Sequence, residues 1–480
     1  MTDTNYYNWF KKIIDICIYC FYVFAFISTV FVFCSFLNGA VKYIAVFCTT
    51  AVIGIVAYFF KGKIRSIIEK LINKLKRLNR KQLALILGMT AVLLKIIYSV
   101  FFFFDTTTYG GDITVYTNIA ELIVTNGISS VTDYIYYLVG MGIHLSVFKY
   151  LSLPYHIGMF IVFLTATMVN YFSFSKLIGK EKSFLLLMLY IVMPSTCLLT
   201  CCITHELFVY LYFSLVLGSL NLFLNNSEVK KNIVSGIFLF LFISLNSTVS
   251  PIGKIWFIVL PIIILLTNID KRKKLILCVI FALSLTTTNY LSTKLEGNTQ
   301  SQSNNYEQLL IGSDLNSMGR HTDGKGKNAA REYWAARGVE LTYENLVEGE
   351  KGALIEQYKY LLSHPLDLLN LLVNKFYVVW SGDYYSVEFA YLTGAISTSL
   401  YYLMLVISAL IWLFIMTLSV VYYVKKEENI SVNTYKLIIL GIMAVLLITE
   451  VTNKYSCYMS AFIYFVAIAR TDLNGGSTDE

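Results

Sequence analysis

The chain is poor in charge: Asp, Glu, Lys and Arg make up 14% of its 480 residues, against 57% hydrophobic residues and a mean hydropathy of +0.64. A soluble chain of this length would fold as about three domains and would carry far more charge, so a cytosolic enzyme and a secreted domain are both excluded. Apolar and polar residues do not alternate along the runs, which excludes an outer-membrane β-barrel. No disulfide framework stands out. Cys17, Cys20, Cys34, Cys48, Cys197, Cys201, Cys202 and Cys278 lie in or at the edge of apolar runs and Cys457 opens the last one, which weakens metal and redox readings. Lys11 and Lys12 precede a stretch that has no small-residue cleavage site and is too long for a signal peptide, so an uncleaved first span is expected. No internal repeat is visible, which counts against an inverted-repeat transporter.

What the chain has in abundance is apolar runs of about 20 residues, each able to cross roughly 30 Å of hydrocarbon as a helix. Backbone groups must be satisfied within the segment there, so these runs are helices and the protein is expected to be an all-α polytopic membrane protein. The net charge is +8, but the basic residues fall in short blocks between the runs. That distribution reports orientation in the bilayer, and no nucleic-acid partner is read from it.

The densest basic block, Lys61 to Lys81, is placed in the cytoplasm by the positive-inside rule, with the N-terminus beside it. Spans are expected at 14–37, 41–60 and 83–104. Lys176 to Lys182, Lys230 with Lys231, and Lys271 to Lys274 must also be inside, which rules out residues 136–151 as a span. They are expected to form an interfacial helix on the outer leaflet, with Tyr134, Tyr136, Tyr137 and Lys149 in the headgroup region. Spans follow at 155–175, 183–201, 203–224, 232–249, 251–268 and 275–291, then at 395–424, 435–451 and 456–471. About twelve transmembrane helices result, with both termini inside. The chain divides into 1–82, two spans and the basic loop; 83–291, a core with a catalytic outer loop at 105–153; 292–394, an outer segment; and 395–480, the last spans and tail. The outer segment reads as polar from Glu296 to Lys327 and helix-like from Ala329 to Val379, broken at His364-Pro365.

The first outer loop holds Asp112, Tyr116 and Ala120 at helical spacing behind the Gly110-Gly111 turn. A carboxylate there could take a proton from an incoming hydroxyl as a general base. An Asp at a helix start is also a common N-cap, and position alone favours the cap.

Asp112-x3-Tyr116-x3-Ala120 after an early span, followed by an interfacial helix and short-looped spans, resembles the GT-C superfamily of polytopic glycosyltransferases, which includes bacterial aminoarabinose transferases and protein O-mannosyltransferases. Pro194 with Thr204-His205-Glu206-Leu207-Phe208 looks like the family's proline and the acidic residue opening a span. His364-Pro365 with Lys375 and Trp380, and Glu450-x3-Lys454-Tyr455 with Lys in place of the family's Arg, are similar to two later stretches. The likeness covers residues 83–470. The family's proline-rich opening of the second interfacial helix is absent from Tyr134 to Val139. The resemblance implies inverting transfer of a sugar from a polyprenyl-phosphate donor to an envelope acceptor (polymer, lipid or protein) on the outer face of the cell membrane. Asp112 would be the catalytic base, and Arg320, His321, Lys375 and Lys454 would hold the phosphate. Asp105, Tyr116, Glu206, Glu450 and Tyr455 complete the substrate-binding candidates.

Plainer readings stand beside these roles. Arg320 and His321 sit in a polar loop open to solvent, Lys375 could snorkel from an interfacial helix, and Lys454 could be an ordinary charge at a span end. No metal ligand set is assigned. Asp105 with Asp112 leaves a divalent cation open, since a carboxylate pair alone does not establish one. Lys95 lies about 18 Å along its helix, too deep to snorkel, and should face protein. His144 and His156 read as packing residues. The competing functions are a lipid-linked sugar flippase or transporter and a polysaccharide polymerase or ligase.

Overall fold

The computed structural model describes residues 3–34, 39–101, 112–131, 134–266, 269–295, 301–320, 324–383, 385–421, 430–449, 451 and 454–469. Asp105, His321 and Glu450 lie outside the described residues, as do the side chains of Asp112, Lys454 and Tyr455.

The chain opens with α1 (Asp3–Phe33), α2 (Gly39–Phe59), α3 (Lys61–Leu75) and α4 (Arg80–Phe101), and the segment expected to be the first outer one forms α5 (Asp112–Asn126) and α6 (Tyr136–Tyr150). A central series follows: α7 (Tyr155–Leu177), α8 (Lys180–Val192), α9 (Pro194–Leu199), α10 (His205–Asn225), α11 (Val229–Val249), α12 (Trp256–Leu266) and α13 (Lys271–Leu295). The segment expected to be the second outer one forms α14 (Ser301–Ser313), α15 (Lys325–Ala335), α16 (Leu346–Ser363), α17 (Pro365–Trp380) and α18 (Tyr385–Leu392). The last part is α19 (Thr398–Val421), α20 (Ile430–Ile448), α21 (Lys454–Cys457) and α22 (Ser460–Ala469). The protein is an all-α polytopic membrane protein.

Each of the twelve expected spans coincides with a helix, but among the described residues eight helices (α1, α4, α7, α10, α11, α13, α19 and α20) are long and apolar enough to cross a bilayer unbroken. The other four depart for physical reasons. The apolar α2 bends by 61° into the basic α3. The expected span 183–201 is broken at Pro194, which lacks an N–H and holds Met193 extended at φ −66°, ψ 126°. Pro251 opens a 3-10 turn and Pro261 interrupts α12, which has 11 residues. The 10-residue α22 is enclosed by α8, α19 and α20, so its neighbours rather than lipid cover it.

A broken helix frees backbone groups that water cannot reach in a bilayer. Side chains supply the partners here. Cys197 Sγ donates to Ile191 O at 2.9 Å, and Lys95 Nζ donates to Thr200 O at 2.7 Å. Lys95 therefore does face protein, and its partner is the carbonyl just past the end of α9.

The basic blocks gather at one end of the bundle. Lys180 Nζ reaches Leu78 O at 2.7 Å, Lys273 Nζ reaches Leu224 O at 2.8 Å, and Asn225 Nδ2 reaches Ser431 Oγ at 2.9 Å. The side of the membrane that this end faces is inferred from charge alone. Helix α1 is integral to the bundle, packing on α17, α19 and α20. Tyr22 donates to Ile463 O at 2.7 Å, Phe21 meets Phe376 and Trp380 edge-on, and Asp15 Oδ1 lies 2.7 Å from Lys436 Nζ, whose side chain is fully buried.

In the first outer segment α6 packs on α5 and α11. Its approach to α5 needs a glycine: a Cβ on Gly142 would sit 2.2 Å from Ile119 Cγ2. In the second, the stretch expected to be polar loop contains α14, because Leu310 and Ile311 are buried as α14 packs on α15 and α16. A turn at 336–345 splits the stretch expected to be helix-like, while the break at His364-Pro365 falls where it was expected. All nine cysteines are free thiols, and Cys17 and Cys20, although spaced as a CxxC pair, both lie on the exposed surface of α1.

A buried charge stripped of its partner costs about 3–5 kcal/mol. Asp15→Asn should therefore lower the thermal unfolding temperature of the detergent-solubilised protein, and adding Lys436→Met should restore part of the loss. A double variant whose loss equals the sum of the two single losses would show that the pair is uncoupled.

Candidate active site

Asp112 is the first residue of α5, and the 3.6-residue repeat puts Tyr116 and Ala120 after it on the same face. Tyr116 is buried, and its hydroxyl hydrogen-bonds His205 Nδ1 at 3.0 Å. On the other side of the ring, His205 Nε2 lies 3.5 Å from Glu206 Oε1. Extended Thr204 (φ −147°, ψ 141°) lets α10 start at His205, where the helix N-terminus favours the nearly inaccessible Glu206 carboxylate. A polar line thus joins α5, one turn past Asp112, to the first turn of α10. His205 was given no role from sequence; its place beside Glu206 was the available signal.

A second histidine ties α6 to α10. His144 Nδ1–H donates to Gly140 O at 2.7 Å, and Nε2 accepts from the Tyr212 hydroxyl at 2.5 Å. Burial pulls its pKa below the ordinary histidine value. His144 is thus a packing residue with both nitrogens engaged.

On α17, Lys375 is fully buried and its Nζ donates to Gly312 O at 2.9 Å, Leu447 O at 2.7 Å and Thr449 O at 2.6 Å. Burial pushes its pKa down to about 7, yet three carbonyl acceptors match the three N–H donors of the charged form. The geometry departs from both expectations for this lysine, snorkelling and phosphate contact, because all three donors are committed to backbone. The close approach depends on Gly312, where a Cβ would sit 2.3 Å from Ile448 O.

Arg320 is exposed, and its backbone pairs with Val451 through an isolated bridge, with Val451 N–H donating to Gly319 O at 2.8 Å. Both chain neighbours of Glu450 are therefore anchored, Thr449 by Lys375 and Val451 by Gly319. Four residues on, α21 starts at Lys454 and packs on both α10 and α17. Tyr458, just beyond it, lies within electrostatic reach of Glu206. The structure brings together α5, α10, α17, the 312–320 turn and the 447–458 stretch, at the end of the bundle opposite the basic blocks.

One residue there carried no sequence signal. Asp383, in the turn after α17, is 1% exposed, accepts a 2.6 Å hydrogen bond from Ser460 Oγ, and is pushed up to about 6 by burial. Only tertiary packing distinguishes it from the solvated acids of the same segment. Among the described residues no three His, Cys, Asp or Glu side chains converge as a metal site; the suggested Asp105–Asp112 pairing falls outside them.

No protein family matches this sequence, and neither does any curated protein. Among solved structures, ArnT from Cupriavidus metallidurans bound to undecaprenyl phosphate is similar, with 9% identity and a TM-score of 0.34 over 80% of this chain and 77% of that one.

Lys375→Met would strand three buried carbonyls, each costing about 1–3 kcal/mol. Hydrogen exchange should then quicken across 312–320 and 447–455, while α7 and α11 stay protected; unchanged protection in the two outer stretches would contradict the cage. For His144 the sign follows from its lowered pKa: below about pH 6.5 the unfolded chain binds the extra proton more readily, so stability falls with acid. His144→Gln should flatten the decline in unfolding temperature between pH 7 and 5, and an unaltered slope would assign that decline to other groups.

Proposed function

We propose that this protein is a GT-C-type inverting glycosyltransferase of the cell membrane, moving a sugar from a polyprenyl-phosphate donor to a cell-envelope acceptor on the outer face. The observation that carries this reading is convergence: segments singled out near residues 112, 206, 320, 375 and 450, far apart in sequence, meet at one end of the bundle.

In this reading Asp112 takes the proton from the acceptor hydroxyl as that oxygen attacks the anomeric carbon. The sugar–phosphate C–O bond breaks, and its electron pair leaves with the polyprenyl phosphate as an anion, so no general acid is needed. The Tyr116–His205–Glu206 line, one turn along from Asp112, fixes the face of α5 that meets α10 and so positions the base. Arg320 and Lys454, with His321, are the cationic or donor groups for the departing phosphate. Lys375 leaves that set and instead holds the backbone beside Glu450. The transporter reading gains nothing from the charges within the bundle, because Lys95 is bound to Thr200 O and Lys436 is paired with Asp15.

Asp112→Asn should reduce transfer by about 10²–10⁴-fold, the contribution typical of a positioned base, with an unchanged unfolding temperature. Mass spectrometry of lipids and envelope polymers should show a sugar-lipid accumulating and a decoration lost, both in cells lacking the protein and in cells carrying the variant. A variant that restores the wild-type profile would remove the base assignment.

A further inference from the structure

The second outer segment contains a cavity of about 790 Å³ between α15, the 336–345 turn and the start of α16. None of its lining residues belongs to the candidate active site. One wall is Lys327 and Arg331, a helical turn apart on α15 and both exposed. Neighbouring cations on this segment are neutralised: Lys325 lies 3.1 Å from Asp314 and Arg337 2.5 Å from Glu356. Among the described residues Lys327 and Arg331 have no such partner, so the cavity presents two positive charges held in no ion pair, about 5–6 Å apart at their Cβ atoms, against the single carboxylate of Glu340.

The facing wall is apolar and aromatic. Tyr343 is 68% exposed and Val339 43% exposed, both on the cavity, with Glu340 beside them. This wall is built in advance. Trp334 Nε1 donates to Asn345 O at 2.9 Å, Asn345 Nδ2 donates to Glu340 O at 2.9 Å, and Asn345 Oδ1 accepts from Thr342 N at 2.8 Å. Gly338 makes the reversal at φ +70°, a conformation that side chains disfavour. A frame closed by its own hydrogen bonds loses little entropy when a ligand enters.

Paired cations select an anion, an exposed aromatic ring covers the C–H face of a sugar, and a carboxylate accepts sugar hydroxyls. The volume lies within the usual range for ligand cavities. We propose that this cavity binds an anionic glycan, one whose sugar or polyol units carry phosphate or carboxylate groups, and presents it as the acceptor. The acceptor role rests on the glycosyltransferase reading; the binding does not.

The test uses the full chain in nanodiscs of zwitterionic lipid, with fluorescently labelled poly(glycerol phosphate), oligogalacturonate, maltoheptaose and poly-glutamate as probes. At least one of the two anionic probes should bind with an affinity that falls as salt rises, and maltoheptaose and poly-glutamate should bind at least about tenfold more weakly. Which anionic probe binds more tightly distinguishes phosphate from carboxylate. Lys327→Gln with Arg331→Gln should cost about tenfold or more and flatten the salt dependence, and Tyr343→Ala should weaken binding at an unchanged salt slope. Binding of maltoheptaose or poly-glutamate as tight as that of the anionic probes, failure of both anionic probes to bind, or a double variant that binds like wild type at an unchanged unfolding temperature would overturn the proposal. Asp112→Asn should keep full probe affinity while losing transfer, so a failure of the transferase reading and a failure of this site are separable.

Discussion

Three backbone carbonyls, of Gly312, Leu447 and Thr449, end on the buried ammonium of Lys375, and the junction of α14, α17 and α20 depends on it. Each carbonyl lies at or near the end of a helix, where no intrahelical donor remains. Without the lysine, the end of α14 and the end of α20 would have to separate to reach water. With it, the 312–320 turn is held against the 449–451 stretch, and the Arg320–Val451 bridge follows. An ammonium is suited to the task because its three donors can serve three acceptors that share no regular secondary structure.

The same rule operates inside the bundle. Pro194 breaks a span, and the freed groups are met by Lys95 and Cys197. Asp15 and Lys436 bind an N-terminal helix, outside the family resemblance, to a late one. Charges that in a transporter would line a path are here fastened to backbone or to each other.

Contacts between distant residues add what single positions could not carry. Glu206 and Tyr116 were singled out as separate residues, and the structure joins them through His205. Lys375 was singled out for a phosphate, and its three donors go to backbone carbonyls instead. Asp383 was passed over, because an acid in a polar-looking turn reads the same whether it is solvated or buried beneath α22 and α9. The polar composition from Glu296 onward likewise concealed α14, whose helicity comes from packing Leu310 and Ile311 rather than from its residues' own propensity.

Span positions, helical class and the clustering of basic blocks at one end were determined by sequence alone, because run length and charge placement are local properties that a bilayer reads directly. Which spans are whole, which charge meets which carbonyl, and which distant polar residues share one site were decided by tertiary structure. Most of those depend on a partner tens to hundreds of residues away supplying a hydrogen bond that hydrocarbon cannot.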